Sequence, residues 1–291
     1  MSDQALLYQH WLQLRVHLLW CYDAGKSLTR GVIPPSGESR SFSNNGAWLV
    51  RQGMAEIEVA GRSVSAGPGQ WLVIPPCERI QRFAPGTLLL SIAFEAVWPD
   101  GRPLLEKGLP VMLDADLVPA LEQKADFLVA TMETVNPEQW HLQRDHLSVD
   151  ECLSLDIAVL DWLQVLLACL DQMAIHPTVP THLDPRLEQA LLQIHRHALE
   201  FPLDQHQLAA SVGFSLIHLT RLFRQHLGKT PMAIYADRRL NEAKRLLVMP
   251  DVRVAEASAK LGFPWVSHFS KWFKQQTGLT PSDFIQARRP V

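Results

Sequence analysis

The four cysteines of this 291-residue chain, Cys21, Cys77, Cys152 and Cys169, stand far apart and include no CxxC pair. That spacing argues against a thiolate zinc site or a disulfide scaffold and suits a reducing compartment. Long apolar runs are also missing. The most apolar later stretch, Trp162 to Leu170, covers nine residues between Asp161 and Asp171, where a membrane-spanning helix needs about 20. The opening MSDQALLYQHWLQLRVHLLW holds His10, Arg15 and His17 within an apolar stripe and lacks a basic start and a small-residue cleavage site. It therefore does not read as a secretion signal. These absences lead us to expect a soluble, cytoplasmic protein with no membrane partner.

What is present is divided. Composition is ordinary, 47% hydrophobic and 20% charged, and the length suffices for two domains with separate cores. From Leu183 to Val291 there are 15 Lys and Arg against 9 Asp and Glu, a net +6, while residues 1–182 carry the other 12 and 21, a net −9. An acidic first part joined to a basic second part points to a polyanionic partner for the second alone.

Residues 3–20 place Leu7, Trp11, Leu14 and Leu18 on one helical face, which predicts a helix there. From about 29 to 113 the runs AWLV, EIEV, QWLVIPP and LLLSIAF are separated by Gly and Pro, the pattern of a small antiparallel barrel or sandwich. Ala60-Gly61-Arg62 reads as a hairpin turn between Glu56–Val59 and Ser63–Ser65. Helices are expected over Leu117–Thr134 and Leu153–Met173. The second is apolar on more than one face, and Ile157, Leu160, Leu163 and Leu167 are candidates for a homodimer contact. A linker at 177–183, with Pro177 and Pro180, separates a first domain at 1–176 from a helical domain at 184–291.

The helical domain repeats itself. GFSLIHLTRLFRQHLGKTP at 213–231 returns as GFPWVSHFSKWFKQQTGLTP at 262–281. In each copy a short helix, Asp204–Val212 or Val254–Leu261, leads to Gly213 or Gly262, where glycine permits a left-handed turn. A second helix follows, with Ser215 as N-cap in the first copy. Leu219, Leu222 and Phe223, and then Phe269, Trp272 and Phe273, face inward. Gly228 and Gly278 end these helices, and Thr-Pro opens the next. This is helix–turn–helix written twice. The outward faces carry cations and short hydrogen-bonding groups with no carboxylate, which suits a phosphate-lined groove. A connecting helix from Pro231 to about Leu247 is roughly 26 Å long at 1.5 Å per residue. It could hold two reading helices about one DNA turn, near 34 Å, apart.

Residues 184–287 resemble the DNA-binding domain of the AraC/XylS family of bacterial transcription regulators. The resemblance rests on the GF, Phe223/Phe273 and Gly-x-Thr-Pro frame of both copies. Arg239, Leu240, Ala243, Leu246 and Leu247 in the connecting helix and Gly278–Phe284 at the end complete it. Ile234, Ala257-Ser258 and Pro264-Trp265 depart from the usual pattern. The similarity implies base reading by Ile217, Thr220 and Arg221 and by Ser267, His268 and Lys271. Ser215, His218, Arg224, Lys229, Ser270 and Lys274 would meet the DNA backbone. Double-stranded DNA is the implied partner, RNA polymerase a further candidate.

Gly53, Gly67-Pro68-Gly69 and Trp71–Pro76 resemble the cupin-like barrel that often precedes this domain. No histidine lies between His17 and His141, so the imidazoles that usually hold a transition metal are missing and no metal or cofactor is expected. The fold class is thus α+β multidomain: a cupin-like antiparallel barrel with flanking helices, then an all-α domain with two helix–turn–helix units. The expected function is sequence-specific DNA binding modulated by a small-molecule effector, with Trp48, Arg51, Trp71, Arg82 and Phe83 as candidates for the effector pocket. Two alternatives stand beside it: a cupin-type enzyme, for which Cys77 beside Arg79 is the candidate thiol, and a regulator without a small-molecule ligand. On the leading reading the protein is not an enzyme.

Overall fold

A computed structural model describes residues 11–12, 14–26, 37–41, 44–98, 101–106, 108–137, 142, 146–179, 184–248 and 252–286. The chain divides into two compact units, the first running through Val179 and the second following it.

Among the described residues nine strands build the first unit: β1 Arg15–Asp23, β2 Gly37–Ser41, β3 Asn45–Gln52, β4 Ala55–Val59, β5 Arg62–Ala66, β6 Gln70–Ile74, β7 Arg79–Phe83, β8 Leu88–Val97 and β9 Val111–Asp114. They form two antiparallel sheets, ordered β1-β8-β3-β6-β9 and β2-β7-β4-β5. The β4–β5 hairpin turns at Ala60 and Gly61, both with positive φ (50° and 78°), as a two-residue turn matched to strand twist requires.

Alternation along each strand decides which layer a side chain enters. Trp48 and Val50 of β3 and Leu72 and Ile74 of β6 meet Ile57 and Phe83 of the other sheet in one core. Ala47, Leu49, Trp71 and Val73 belong to a different core, shared with two helices, α1 Pro119–Val135 and α2 Val149–Gln172.

The helix expected over 3–20 is not formed across its second half. Residues 1–10 lie outside the described residues, and Arg15–Asp23 is the strand β1, paired antiparallel with β8 from Arg15↔Val97 to Asp23↔Leu90. Leu14, Val16 and Leu18 also fit a period of two and pack on the core beneath the helices. A register shift then turns Trp20 and Tyr22 toward the other side, and pairing with β8 decides between the two readings.

Helix α2 starts with a capping box in which Ser148 and Glu151 bond reciprocally. By length and composition it could cross a bilayer, but Leu155, Val159, Trp162, Leu163, Leu166 and Leu170 are buried in the core. This corrects the dimer face. Leu163 is 2% exposed and unavailable, and Leu167 packs partly against the same core. Ile157 and Leu160 are exposed, together with Val149 and Leu153. Of the expected linker, Thr178 is tied into the first unit: its hydroxyl donates to Pro103 O at 2.6 Å and its carbonyl accepts from Trp98 Nε1 at 3.0 Å. Residues 180–183 lie outside the described residues.

The second unit is helical: α3 Pro185–Arg196, α4 Gln205–Ser211, α5 Leu216–Leu227, α6 Pro231–Val248, α7 Val254–Lys260, α8 Val266–Thr277 and α9 Pro281–Gln286. Leu187, Leu191, Leu208, Leu219, Phe223 and Tyr235 share the core of its first half. In the second half, Phe269, Phe273 and Phe284 are fully buried, the last two ring against ring at 5.0 Å.

Candidate functional site

Both helix–turn–helix units are closed by the residues that the repeat implied. Asp204 caps α4 by accepting from the backbone of His206 and Gln207. Gly213 and Gly262 leave α4 and α7 with φ of 70° and 69°. Ser215 accepts from His218 N at the start of α5; the N-cap of α8 is Trp265, which makes no side-chain cap bond. Gly228 and Gly278 end the two helices in the left-handed conformation. Thr230 and Thr280 then accept from the backbone of Ala233 and Asp283.

The connecting helix α6 grips each half with one of two consecutive arginines. Arg238 Nη1 donates to the carbonyls of Ile194 and His197 at the end of α3. Arg239 Nη2 donates to Leu261 O at 2.6 Å, and its guanidinium lies 4.5 Å from the Phe263 ring centroid. Tyr235 adds a bond to Phe201 O. These hydrogen bonds all end on backbone carbonyls, and the Phe263 ring adds a contact to the Arg239 side of the grip.

With inward residues buried, each second helix presents one outward stripe. Ile217, Arg221 and Arg224 of α5 are exposed, with Thr220 half-buried; Ser267, Lys271 and Lys274 of α8 are exposed, with Ser270 half-buried. The stripes correspond position by position at a spacing of fifty residues, on one face of each helix. Ile217 is 83% exposed, an aliphatic side chain that packing does not require. His268 is exposed too, whereas His218 stacks on Phe214 with centroids 4.8 Å apart.

Ion pairing separates the cations of this unit. Arg186 pairs with Asp184, Arg245 with Glu242, and Lys229 with Asp237 at 2.7 Å. Arg221, Arg224, Lys271 and Lys274 pair with no carboxylate among the described residues, and α5 and α8 contain no Asp or Glu. Lys229, expected at the DNA backbone, is therefore partly neutralised, and the stripe cations are not.

The first unit holds a cavity of about 160 Å³ between its two sheets, bounded by β1, β3, β7 and β8. Trp48 and Phe83 line it with rings 5.0 Å apart. The other three candidates do not. Trp71 is 0% exposed in the core beneath the helices, because it alternates with Leu72 on β6. Arg51 turns to Asp23, Glu122 and Asp126. Arg82 lies on the outer face of its sheet, held by Glu58, Glu38 and Glu56, and the first two raise its pKa. The wall residues absent from the expected set include Trp20, Tyr22, Arg79, Gln81 and Ser91. Cys77 is half-buried, and burial raises its thiol pKa with only partial opposition from Arg79, which disfavours a reactive thiolate. Among the described residues no group of His, Cys, Asp and Glu gathers as metal ligands.

Residues 208–287 match a family model described as a helix-turn-helix domain. Among curated proteins, the transcriptional regulator GlxA of Rhizobium meliloti is 38% identical over 92 residues, 32% of this chain and 28% of that protein. The arabinose operon regulatory protein of Escherichia coli is 32% identical over 111 residues, 38% of each chain. The chain thus spans about a third of the length of the curated relatives it matches. A crystal structure of an apo ToxT variant from Vibrio cholerae covers 94% of this chain and 97% of its own at a TM-score of 0.50 with 9% identity, a likeness of fold alone. The second unit thus carries a helix–turn–helix domain, and the sequence similarity to these regulators covers about a third of each chain.

Proposed function

We propose that the chain is a sequence-specific DNA-binding regulator of transcription, whose second unit reads double-stranded DNA and whose first unit takes a small-molecule effector. The two corresponding stripes carry this reading: each combines unpaired cations with short hydrogen-bonding groups. A phosphate-flanked groove neutralises such cations, and a solvated helix face normally mixes both signs. The names of the two curated relatives support it, and the cavity between the sheets supplies a place for the effector.

Contact type sets the expected results. Arg221, with a bidentate fork for a guanine edge, is assigned to base reading. Arg221→Ala is expected to cost roughly 1–3 kcal/mol and to relax preference at one base pair. Lys274→Ala is expected to weaken all duplexes alike and to lower the slope of log affinity against log salt by about 1. Gel shifts over selected duplex fragments at several salt concentrations measure both. Unchanged affinity and preference in the Arg221 variant would remove that helix from the interface.

The exposed apolar residues Val149, Leu153, Ile157 and Leu160 on α2 support self-association through this face. Ile157→Glu places a charge on it without entering the core, and is expected to shift the sedimentation coefficient toward that of a single chain. An unshifted boundary assigns the dimer contact elsewhere.

A further inference from the structure

Arg79 is 3% exposed and stands on the wall of the cavity between the sheets. One side of its guanidinium is committed to backbone. Nη1 donates to the carbonyls of Asn44 and Pro75 at 3.1 Å each, and to that of Cys77 at 3.5 Å. The other side is not. Among the described residues Nε is buried with no hydrogen-bond partner, and Nη2 donates to nothing. Nε and Nη2 form the edge with which arginine grips a carboxylate through two parallel bonds.

Among the described residues no carboxylate serves this edge. Arg51 and Arg82 each hold three acidic partners, whereas among the described residues Arg79 has none and no Asp or Glu lines the cavity. Burial pushes the Arg79 pKa down to about 10, which still leaves it charged at neutral pH. A buried charge without a counter-charge is unfavourable, and an anion brought into the cavity removes that penalty.

The remaining walls define the rest of the ligand. Trp48, Phe83, Leu89 and Ala93 offer an apolar surface, and Tyr22 and Ser91 a polar one. At about 160 Å³ the space is close to that of an engineered apolar cavity, about 150 Å³, that takes a single benzene. Inorganic phosphate would leave the aromatic walls uncovered, and a neutral ligand would leave the guanidinium uncompensated.

We propose that this cavity binds a small organic carboxylate, one ring or a short aliphatic chain in size, held by the guanidinium of Arg79 on the side that makes no bond to the described residues. The inference deepens the reading of the first unit as the effector-binding part and rests on it. The test is calorimetric titration of the full-length protein with benzoate, cyclohexanecarboxylate and hexanoate, each beside its uncharged amide. At least one acid is expected to bind once per chain, and its amide at least tenfold more weakly. Arg79→Lys keeps the charge but loses the fork, and should lower affinity for that acid at least tenfold. Since Arg79 also clamps three carbonyls, that variant could fail to fold; the acid–amide comparison on the unaltered chain needs no variant. Acid and amide bound alike, or no acid bound at millimolar concentration, overturns the proposal even if the protein still selects duplex DNA. An acid that binds as expected yet leaves duplex affinity unchanged sustains the carboxylate site and sinks the effector reading instead.

Discussion

Gly262→Ala is expected to destabilise the second helix–turn–helix unit by about 3–5 kcal/mol, while Gly213→Ala costs only about 1–2 kcal/mol. The two glycines occupy the same place in the repeat with almost the same φ, 69° and 70°. Left-handed backbone penalises a Cβ equally at both. Their surroundings differ. A Cβ at Gly213 meets nothing within 4 Å, whereas one at Gly262 falls 1.9 Å from the carbonyl oxygen of Glu200 and 2.6 Å from its carbon. Both obstacles are backbone, so relief requires moving the turn between α3 and α4 or the turn into α8. Urea unfolding of the two variants, followed by tryptophan fluorescence, measures the difference, and α8 should lose its share of DNA affinity only in the Gly262 variant. Equal losses at the two positions would show that Glu200 does not press on Gly262.

The second large effect is expected at Arg51. Asp23 is 1% exposed, and both Arg51 Nε (3.1 Å) and Nη2 (2.8 Å) donate to its Oδ2, while Nη1 reaches Glu122. Burial opposes the Arg51 charge, but the bonds it donates to Asp23 and Glu122 prevail and raise its pKa. Among the described residues, Arg51→Ala leaves the Asp23 carboxylate with only the Gly25 and Lys26 backbone donors. A loss of about 3 kcal/mol is expected, at the lower end for a broken buried pair because Glu122 and Asp126 remain partly solvated. Chemical denaturation at neutral pH checks it. Arg82→Ala is the control: the side chain sits on the solvent-facing side of its sheet, and its loss should change stability little. If both variants melt alike, Arg51 is no more than a surface charge.

The helical unit was legible because its signals are local. Glycine at a left-handed turn, threonine and proline at a helix start, and aromatics three and four residues apart need no distant partner to take effect. The β-rich unit was legible in its strands and less so in their faces. Arg82 and Phe83 are adjacent on β7, so alternation forbids both from entering the interior; Arg79, Gln81 and Phe83 share one side. Applied strictly, that rule selects Arg79 and rejects Arg82. Trp71 fails by the same parity beside Leu72. Arg51 lies where the pairing of β3 with β8 shifts register between Val50 and Gln52, which local spacing does not reveal. Strand β1 was lost for a different reason. Leu14 and Leu18 satisfy both periods in a window this short, and the decision comes from β8, about seventy residues away.

Arg238 and Arg239 fasten the two halves of the helical unit to one spine through carbonyl oxygens of the main chain. Those anchor points exist whatever side chains the chain carries. Variation at Ile217, Arg221, Ser267 or Lys271 therefore leaves the scaffold as it was. On the proposed reading the domain separates what it reads from what holds it together, so a few exchanges on two helix faces would re-address it to a new site without renegotiating its architecture.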